Sequence, residues 1–454
     1  MNIKNFANSF FYRLKEKTII FLFKLQLKRL KRERLTNKKR IMATACANFP
    51  IYSQTFVYQE MTQVVNQGYS LRFLFHRYDS KRFLPDQFIK LWHSRQKIMY
   101  HENLSKYNYN YYMKRMPGKV ESLINSLCKA SGKSANEIKS HQHFLQAFSF
   151  TRMVEAYAPF YLHSYFFYEG TFFTAIASYL LDISRGVSCY ADHLLDDYEL
   201  KIVPFHIGKC KIIVATSNRI KQELIQLAPA ADPEKIIVKP NAVNVNSFPR
   251  INLKRHEKNK PYKLICVCRI DPKKGLIYLV EAVKILGQNN INVELHIIGG
   301  IEDSQININY AASLKNKIKE YKLEDTVFLE GRRTESEIKQ FFSSSDIFVA
   351  PFVETESGDK DGIPTSLLEA MSSGLPVVAS DAGSIPEVIN NGHDGIIVPQ
   401  QQANELAAAI KGLLNDYDKR IELGKNAGEK IRSEFDVSVC EHLFHAKLSN
   451  ILKQ

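Results

Sequence analysis

Nowhere in the 454 residues does an uninterrupted apolar run reach the ~20 residues that a bilayer-spanning helix needs. The longest candidate, APFYLHSYFFYEGTFFTAIASYLL from Ala158, is broken by His163 and by Glu169-Gly170, and it reads as a buried helix or helix pair. A secretory signal is not expected, because the apolar stretch Thr18 to Phe23 is short and runs into further basic residues, not a small-residue cleavage site. Cysteine is scarce. The seven, at 46, 128, 189, 210, 266, 268 and 440, show none of the paired spacings of a zinc site, and the odd number argues against a disulfide framework. A reducing, cytosolic compartment follows. Cys266 and Cys268 share one face of a strand and read as packing residues. There is no internal repeat of 20 to 50 residues, and no low-complexity region beyond a basic N-terminal arm.

What is present is an ordinary globular composition, 45% hydrophobic and 24% charged, long enough for two or three folded units. The net charge of +15 is unevenly spread. Residues 1–40 hold 13 Lys/Arg against Glu16 and Glu33, which leaves 49 basic and 45 acidic side chains, a net +4, in the other 414 residues. In the arm, Phe6, Phe10, Phe11, Leu14, Ile19, Phe21, Leu22, Leu25 and Leu30 lie among the basic residues as in an amphipathic cationic helix. Such a helix suits an anionic membrane interface; the alternatives are a solvated arm or a helix packed on its own protein.

From Ile41, short β-type runs alternate with helical stretches: IMATACANF, SLRFLF, GKCKIIVATS and EKIIVKPNAV. Residues 81–140 are less regular, and KYNYNYYMKR has the character of an insertion or surface helix. A second series follows from about 262: YKLICVCRI, VELHIIGG, TVFLEG, DIFVAPF, PVVAS and GIIVP. This alternation predicts an α/β chain with two parallel-sheet, Rossmann-like domains, joined near Asn241 to Arg255 and facing a cleft. Ligands of such sheets bind at the carboxyl ends of the strands.

The most informative stretch is GDKDGIPTSLLEAMSSGLPVVASDAGSIPEVI, Gly358 to Ile389. A helix is expected to open at about Thr365, with Gly362, Ile363 and Pro364 leading into it and its free N–H groups forming an anion site. Asp361 then lies just before the helix at the cleft, and Glu369 more than one turn inside it. Taken alone, the two acids would be a capping residue and a solvated helical Glu.

Together with their neighbours, these residues resemble the retaining GT-B glycosyltransferases of glycosyltransferase family 4, especially the colanic-acid and exopolysaccharide transferase branch. That family's Glu-x7-Glu motif corresponds to Asp361 and Glu369, its Gly-Leu-Pro-Val-Val strand to GLPVVAS from Gly374, and its Pro-Glu turn to GSIPEV from Gly383. The resemblance covers most of residues 41–435. It implies that Glu369 accepts from the nucleotide ribose and that Asp361, a shorter acid than the usual Glu, faces the donor sugar. It likewise implies that Arg269 and Lys274 of CRIDPKKG hold the donor diphosphate, with Lys273 a spare candidate, and that Gly299 and the GRRT loop at Gly331 contact base and ribose. In the N-terminal half, FPIYSQTFVYQE resembles the Pro-x-x-Ser-Glu-Thr-Phe loop, with Ser53 near the donor phosphates and Gln54 in place of Glu. HQHF resembles a His-x-His-Phe element at a strand end, which gives His141 and His143 a structural or acceptor-side role. CYADHLLDDY resembles the Thr-x-His-x-x-Asp turn, which gives His193 and Asp196, with Asp192 and Asp197 as alternatives; His193 would contact the donor sugar.

The resemblance divides the chain into a basic extension (1–40), an acceptor-side domain (41–245), a nucleotide-sugar domain (246–435) and a helix crossing back to the first domain (436–454). It implies a nucleotide diphosphate sugar as donor and a polyprenyl-linked or polysaccharide acceptor; no nucleic-acid partner is expected, because the basic excess is confined to the arm and no recognised nucleic-acid module is present. The expected location is cytoplasmic, at the inner face of the cell membrane. No Asp-x-Asp with a neighbouring His sits at a strand end, and the diphosphate already has Arg269, Lys274 and a helix N-terminus as counter-charges, so no obligatory metal or other cofactor is expected. The product should keep the donor's anomeric configuration. Two other readings are a sugar-nucleotide-binding protein without catalysis, suggested by Asp361, Gln54 and Ala191, and a basic nucleic-acid-binding protein.

Overall fold

The structure is a computed structural model that describes residues 3–49, 55–78, 86–190, 202–253, 255–257 and 260–453. In chain order its strands are β1 (Ile41–Phe49), β2 (Ser70–Tyr78), β3 (Arg95–Lys97), β4 (Tyr161–Tyr165), β5 (Ser184–Cys189), β6 (Ile212–Ala215), β7 (Ile236–Val238), β8 (Tyr262–Val267), β9 (Val293–Ile298), β10 (Val327–Gly331), β11 (Ile347–Ala350), β12 (Val377–Ser380) and β13 (Ile396–Val398). The first seven form one parallel sheet in the order β3-β2-β1-β4-β5-β6-β7, and the last six form another in the order β10-β9-β8-β11-β12-β13. In each, the order reverses at one point, β1/β4 and β8/β11, and the crevice outside the carboxyl ends of those strands is where ligands of such sheets bind.

The helices of the first half are α1 (Ile3–Thr36), α2 (Thr55–Asn66), α3 (Glu102–Arg115), α4 (Pro117–Ser131), α5 (Ala135–Ser140), α6 (Gln142–Tyr157), α7 (Glu169–Leu181), α8 (Val203–Lys209) and α9 (Asn218–Leu227). Those of the second are α10 (Leu276–Gln288), α11 (Gln305–Glu320), α12 (Glu335–Ser344), α13 (Thr365–Ser372), α14 (Ala403–Asn415), α15 (Tyr417–Glu434) and α16 (Val437–Lys453). Strand period 2 sends Ile41, Ala43 and Ala45 to a core shared with α1, α3, α4, α6 and α7, and Met42 to a second core with α2 and α16. Two cores therefore sandwich the first sheet.

Three expectations need correction. The apolar stretch from Ala158 is a fully buried strand, β4, followed by helix α7, because five aromatic-rich residues between turns fit the centre of a parallel sheet as well as a helix. HQHF does not end a strand: His141 precedes α6 and the remaining residues open that helix. KYNYNYYMKR is a helix, α3, but not a peripheral insertion, since α3 to α5 contribute Leu104, Tyr112, Val120, Leu123, Ile124, Leu127 and Ile138 to the core.

Helix α1 packs on the first domain through Phe23, Leu27 and Leu30, a stripe at i, i+4 and i+7. Gln26 donates to the Lys97 carbonyl at 3.1 Å and Arg29 to Gln96 at 2.7 Å. Of the alternatives for the arm, docking on its own protein therefore holds for this part. Phe21, Leu22 and Leu25 remain exposed on the outer side.

The chain passes between the domains twice, and the two passages lie side by side: Val243 N donates to the Phe435 carbonyl at 2.9 Å, and Val437 N to the Val243 carbonyl at 3.1 Å. Helix α16 then returns to the first domain and inserts Phe444 and Leu448 into its second core. Beneath it, Lys239 Nζ lies 2.9 Å from Glu60 Oε2 and 2.8 Å from Glu441 Oε1. Burial works to raise the Glu60 carboxyl, but Lys239 and His163 outweigh it and hold it well below the usual range. Tyr190 donates to the same carboxylate at 2.7 Å.

Candidate functional site

The site forms where two loops meet at the β8/β11 reversal of the second sheet. After β8, Asp271 caps a 3-10 turn, Pro272–Lys274, by accepting from Lys273 N at 3.2 Å. Gly275 ends that turn at φ 58°, and any Cβ there would collide with the Pro351 carbonyl, so the turn that presents both lysines requires glycine. After β11, the second loop runs from Pro351 to Pro364 and leads into α13. Val353 N donates to the Lys273 carbonyl at 2.9 Å and ties the loops together.

Three cations and four acids meet here. Lys274 pairs with Asp361; Lys273 lies 3.0 Å from Asp359 and 3.7 Å from Asp361; Arg269 lies 2.5 Å from Glu302 and 3.7 Å from Asp271. Both lysines are buried. Burial opposes ionisation of Asp361, but Lys274, Lys273 and Arg269 outweigh it and hold its carboxyl below the ordinary value. Lys273 shows the converse: burial pulls it down, and Asp361 and Asp359 more than compensate, so it stays a cation. Asp359 and Glu302 carry no signal of their own in the sequence, and their pairing with the spare candidate Lys273 and with Arg269 emerges only in three dimensions.

Helix α13 starts at Thr365 with Pro364 as its N-cap residue. Ser366 fastens it to the end of β8 by donating to the Val267 carbonyl at 2.6 Å. Glu369 stands apart from the ionic cluster, with Glu335 and Lys339 of α12 as its charged neighbours. Its side chain makes no hydrogen bond to another described residue. Burial, with a further contribution from Glu335, pushes its carboxyl up to about 8. Gly299, just after β9, has φ 154°, and a Cβ there would run into the Cys268 carbonyl, so the close approach of the two strand ends requires glycine. The sulfurs of Cys266 and Cys268 are 3.7 Å apart on one face, packed under this loop.

The structure thus brings Arg269, Lys274 and Asp361 together, with Gly299 at the neighbouring end of β9, whereas Glu369 lies apart from them inside α13. Gly362 and Ile363 face the other domain: Gly362 abuts Thr216 and the Tyr190 carbonyl, and the Ile363 carbonyl accepts from Asn241 at 2.7 Å. Ser53, His193 and Asp196, with the alternatives Asp192 and Asp197, lie outside the described residues. His143 Nε2 lies 3.5 Å from Glu169, and among the described residues no three His, Cys, Asp or Glu form a group that could hold a metal ion. From the first domain, Tyr168, half exposed, stands within electrostatic reach of Lys273, Asp359, Arg269 and Glu302.

Residues 248–430 match the family Glycosyl transferases group 1. The amylovoran biosynthesis glycosyltransferase AmsK of Erwinia amylovora is 31% identical over 273 residues, 60% of this chain and 63% of the relative. The putative colanic acid biosynthesis glycosyltransferase WcaL of Salmonella typhimurium is 31% identical over 205 residues, 45% and 48% respectively. The matched region thus spans about half to under two thirds of these relatives' length. Among solved structures, sucrose-phosphate synthase of Thermosynechococcus elongatus aligns with a TM-score of 0.69 at 15% identity, over 91% of this chain and 100% of its own. HepE of Anabaena in complex with UDP aligns with a TM-score of 0.68 at 15% identity, over 90% and 100%. The chain has the GT-B fold of two facing parallel-sheet domains, and its residues 248–430 are similar to the family Glycosyl transferases group 1.

Proposed function

We propose that the chain is a retaining glycosyltransferase of family 4 that moves a sugar from a nucleotide diphosphate sugar to a lipid-linked oligosaccharide or growing surface polysaccharide. The observation that carries the reading is the cluster of Arg269, Lys273 and Lys274 at the strand reversal, three basic side chains paired with acids at a helix entrance. The donor diphosphate displaces Glu302 from Arg269 and draws Lys274 and Lys273 from Asp361. The negative charge that grows on the leaving diphosphate is stabilised by groups already in place. Asp361 accepts from the donor sugar hydroxyls, and Glu369 from the ribose. His193 contacts the sugar and Ser53 the phosphates from the first domain.

In the transfer, the acceptor oxygen bonds to the anomeric carbon as the carbon–phosphate oxygen bond breaks, and the acceptor proton passes to the departing phosphate oxygen on the same face. Retention follows. No divalent ion is needed for this charge balance, because the cations supply it.

A lipid-linked acceptor is supported by the relative named UDP-Gal:alpha-D-GlcNAc-diphosphoundecaprenol alpha-1,3-galactosyltransferase from Escherichia coli, 29% identical over 244 residues. The exposed Phe21, Leu22 and Leu25 among the basic residues of α1 suit contact with the anionic inner face of the cell membrane from the cytoplasm. None of the helices in the described residues is long and apolar enough to cross a membrane. The test is nucleotide release by the full chain across a panel of nucleotide sugars, with a polyprenyl-diphosphate sugar as acceptor. Acceptor-dependent release is expected with one donor class, and binding without turnover on any acceptor would overturn the reading.

A further inference from the structure

Helix α9 of the first domain has Ser217 as its N-cap and no acid in its first turn, although the free N–H groups and the dipole of a helix N-terminus favour one. The missing carboxylate comes from the other domain. Glu387 accepts from Asn218 N at 2.6 Å through one oxygen and from Arg219 N at 2.9 Å through the other. Beside it the Ser384 and Ser217 hydroxyls, both fully buried, are bonded at 2.9 Å. The Arg219 side chain continues across the boundary: Nε donates to Ser384 Oγ at 3.1 Å and Nη2 to the Asp361 carbonyl at 3.3 Å, while Nη1 is anchored on Glu223 at 2.8 Å.

These contacts converge on one short loop. The carbonyls of Asp361 and Ile363 are both taken by first-domain donors, Arg219 and Asn241, and Gly362 between them abuts Thr216 and the Tyr190 carbonyl. From the opposite side Gly383, at φ 60°, lies so close to the Asp361 carbonyl that a Cβ would collide with it. The backbone that aims the Asp361 carboxylate is therefore braced by both domains at once.

We propose that Glu387 and Arg219 form an interdomain clasp that positions Asp361, so that the donor-sugar end of the site is complete only when the two domains are closed on each other. Glu387 fixes α9 by capping it, and the capped helix carries Arg219 to the Asp361 carbonyl. Both are positioning residues that touch no reacting atom. The sugar-binding role of Asp361 rests on the proposed function, whereas the clasp itself does not.

The test uses the full chain with Glu387→Ala, Glu387→Gln and Arg219→Lys, read by amide hydrogen exchange over 215–224 and 358–366 and by steady-state nucleotide release. In Glu387→Ala, exchange at Asn218 and Arg219 should rise about tenfold, and the 361–363 loop should follow, with the rest of the first domain unchanged. Its kcat should fall about 10- to 100-fold, the scale of a misplaced reacting group, while the affinity for UDP and GDP stays within about twofold. Glu387→Gln, which keeps one accepting oxygen, should be intermediate in both readouts. Arg219→Lys, with no fork to span Ser384 and Asp361, should leave the α9 amides protected, loosen 361–363 and lower kcat. Unchanged exchange at Asn218 and Arg219 in Glu387→Ala overturns the clasp, as does loosened exchange with wild-type kcat. If the wild type releases no nucleotide from any donor, the proposed function fails while the exchange data still decide the clasp.

Discussion

Lys239 and Glu441 form a buried ion pair at 2.8 Å that joins the segment leaving the first domain to the helix that returns to it. Lys239 also pairs with Glu60, and both carboxylates are almost wholly out of solvent. Replacing Lys239 by Ala strands two buried acids and should cost about 3–5 kcal/mol, the range for breaking such a pair from one side. Urea denaturation of wild type and variant measures it; a loss well under ~1 kcal/mol would show that the pair is not what fastens α16.

Glu369 gives a pH signature. Its folded-state carboxyl lies above the ordinary value, so the stability it contributes is fully present below the unfolded value of ~4.3 and is lost progressively as pH rises to about 8. Glu369→Gln should therefore melt with the wild type near pH 4, gain an advantage as pH rises towards 8, and keep a constant gap above it. Thermal melts from pH 4 to 9 decide this, and parallel curves would contradict it. The same variant should bind nucleotide more weakly.

Arg269→Ala and Lys274→Ala together should lower kcat/KM by about 10²–10⁴, the loss expected when charge stabilisation of a leaving group is removed. Arg269→Ala alone tests the chemistry with less structural cost, because Arg269 is partly exposed whereas Lys274 is buried against Asp361. A double variant with unaltered kcat/KM removes these residues from the site.

The two faces of helix α1, one buried on the first domain and one exposed, can be tested separately. Phe23→Ala, at a fully buried position, should destabilise the fold by about 3–5 kcal/mol. Leu22→Ser with Leu25→Ser should leave the melting temperature unchanged and weaken sedimentation with phosphatidylglycerol vesicles. Undiminished sedimentation would exclude the outer face as the contact.

The strand-helix alternation was legible because the crossover pattern of a parallel sheet needs no long-range information, and every apolar run named from Ile41 to Val398 lies on or over a strand. The aromatic stretch from Ala158 was ambiguous because a short buried run has no polar side to reveal its period. In α3 the many tyrosines hid the apolar stripe, since tyrosine buries its ring and leaves its hydroxyl to hydrogen bonds, as Tyr112 does with Glu155 at 3.0 Å.

The candidate site divides the same way. Local order placed Asp361 before a helix and Glu369 inside it, because the start of α13 follows from Pro364 and the residues around it. Two α/β halves and the loops at their strand ends follow from short-range periodicity and backbone preference. Which charges meet depends on how the chain packs. Lys274 and Asp361 are 87 residues apart, and Glu387 caps a helix 169 residues away. A hydrogen bond or ion pair depends on ångström-scale placement that the packing of two sheets and two domains sets, and no local pattern encodes it.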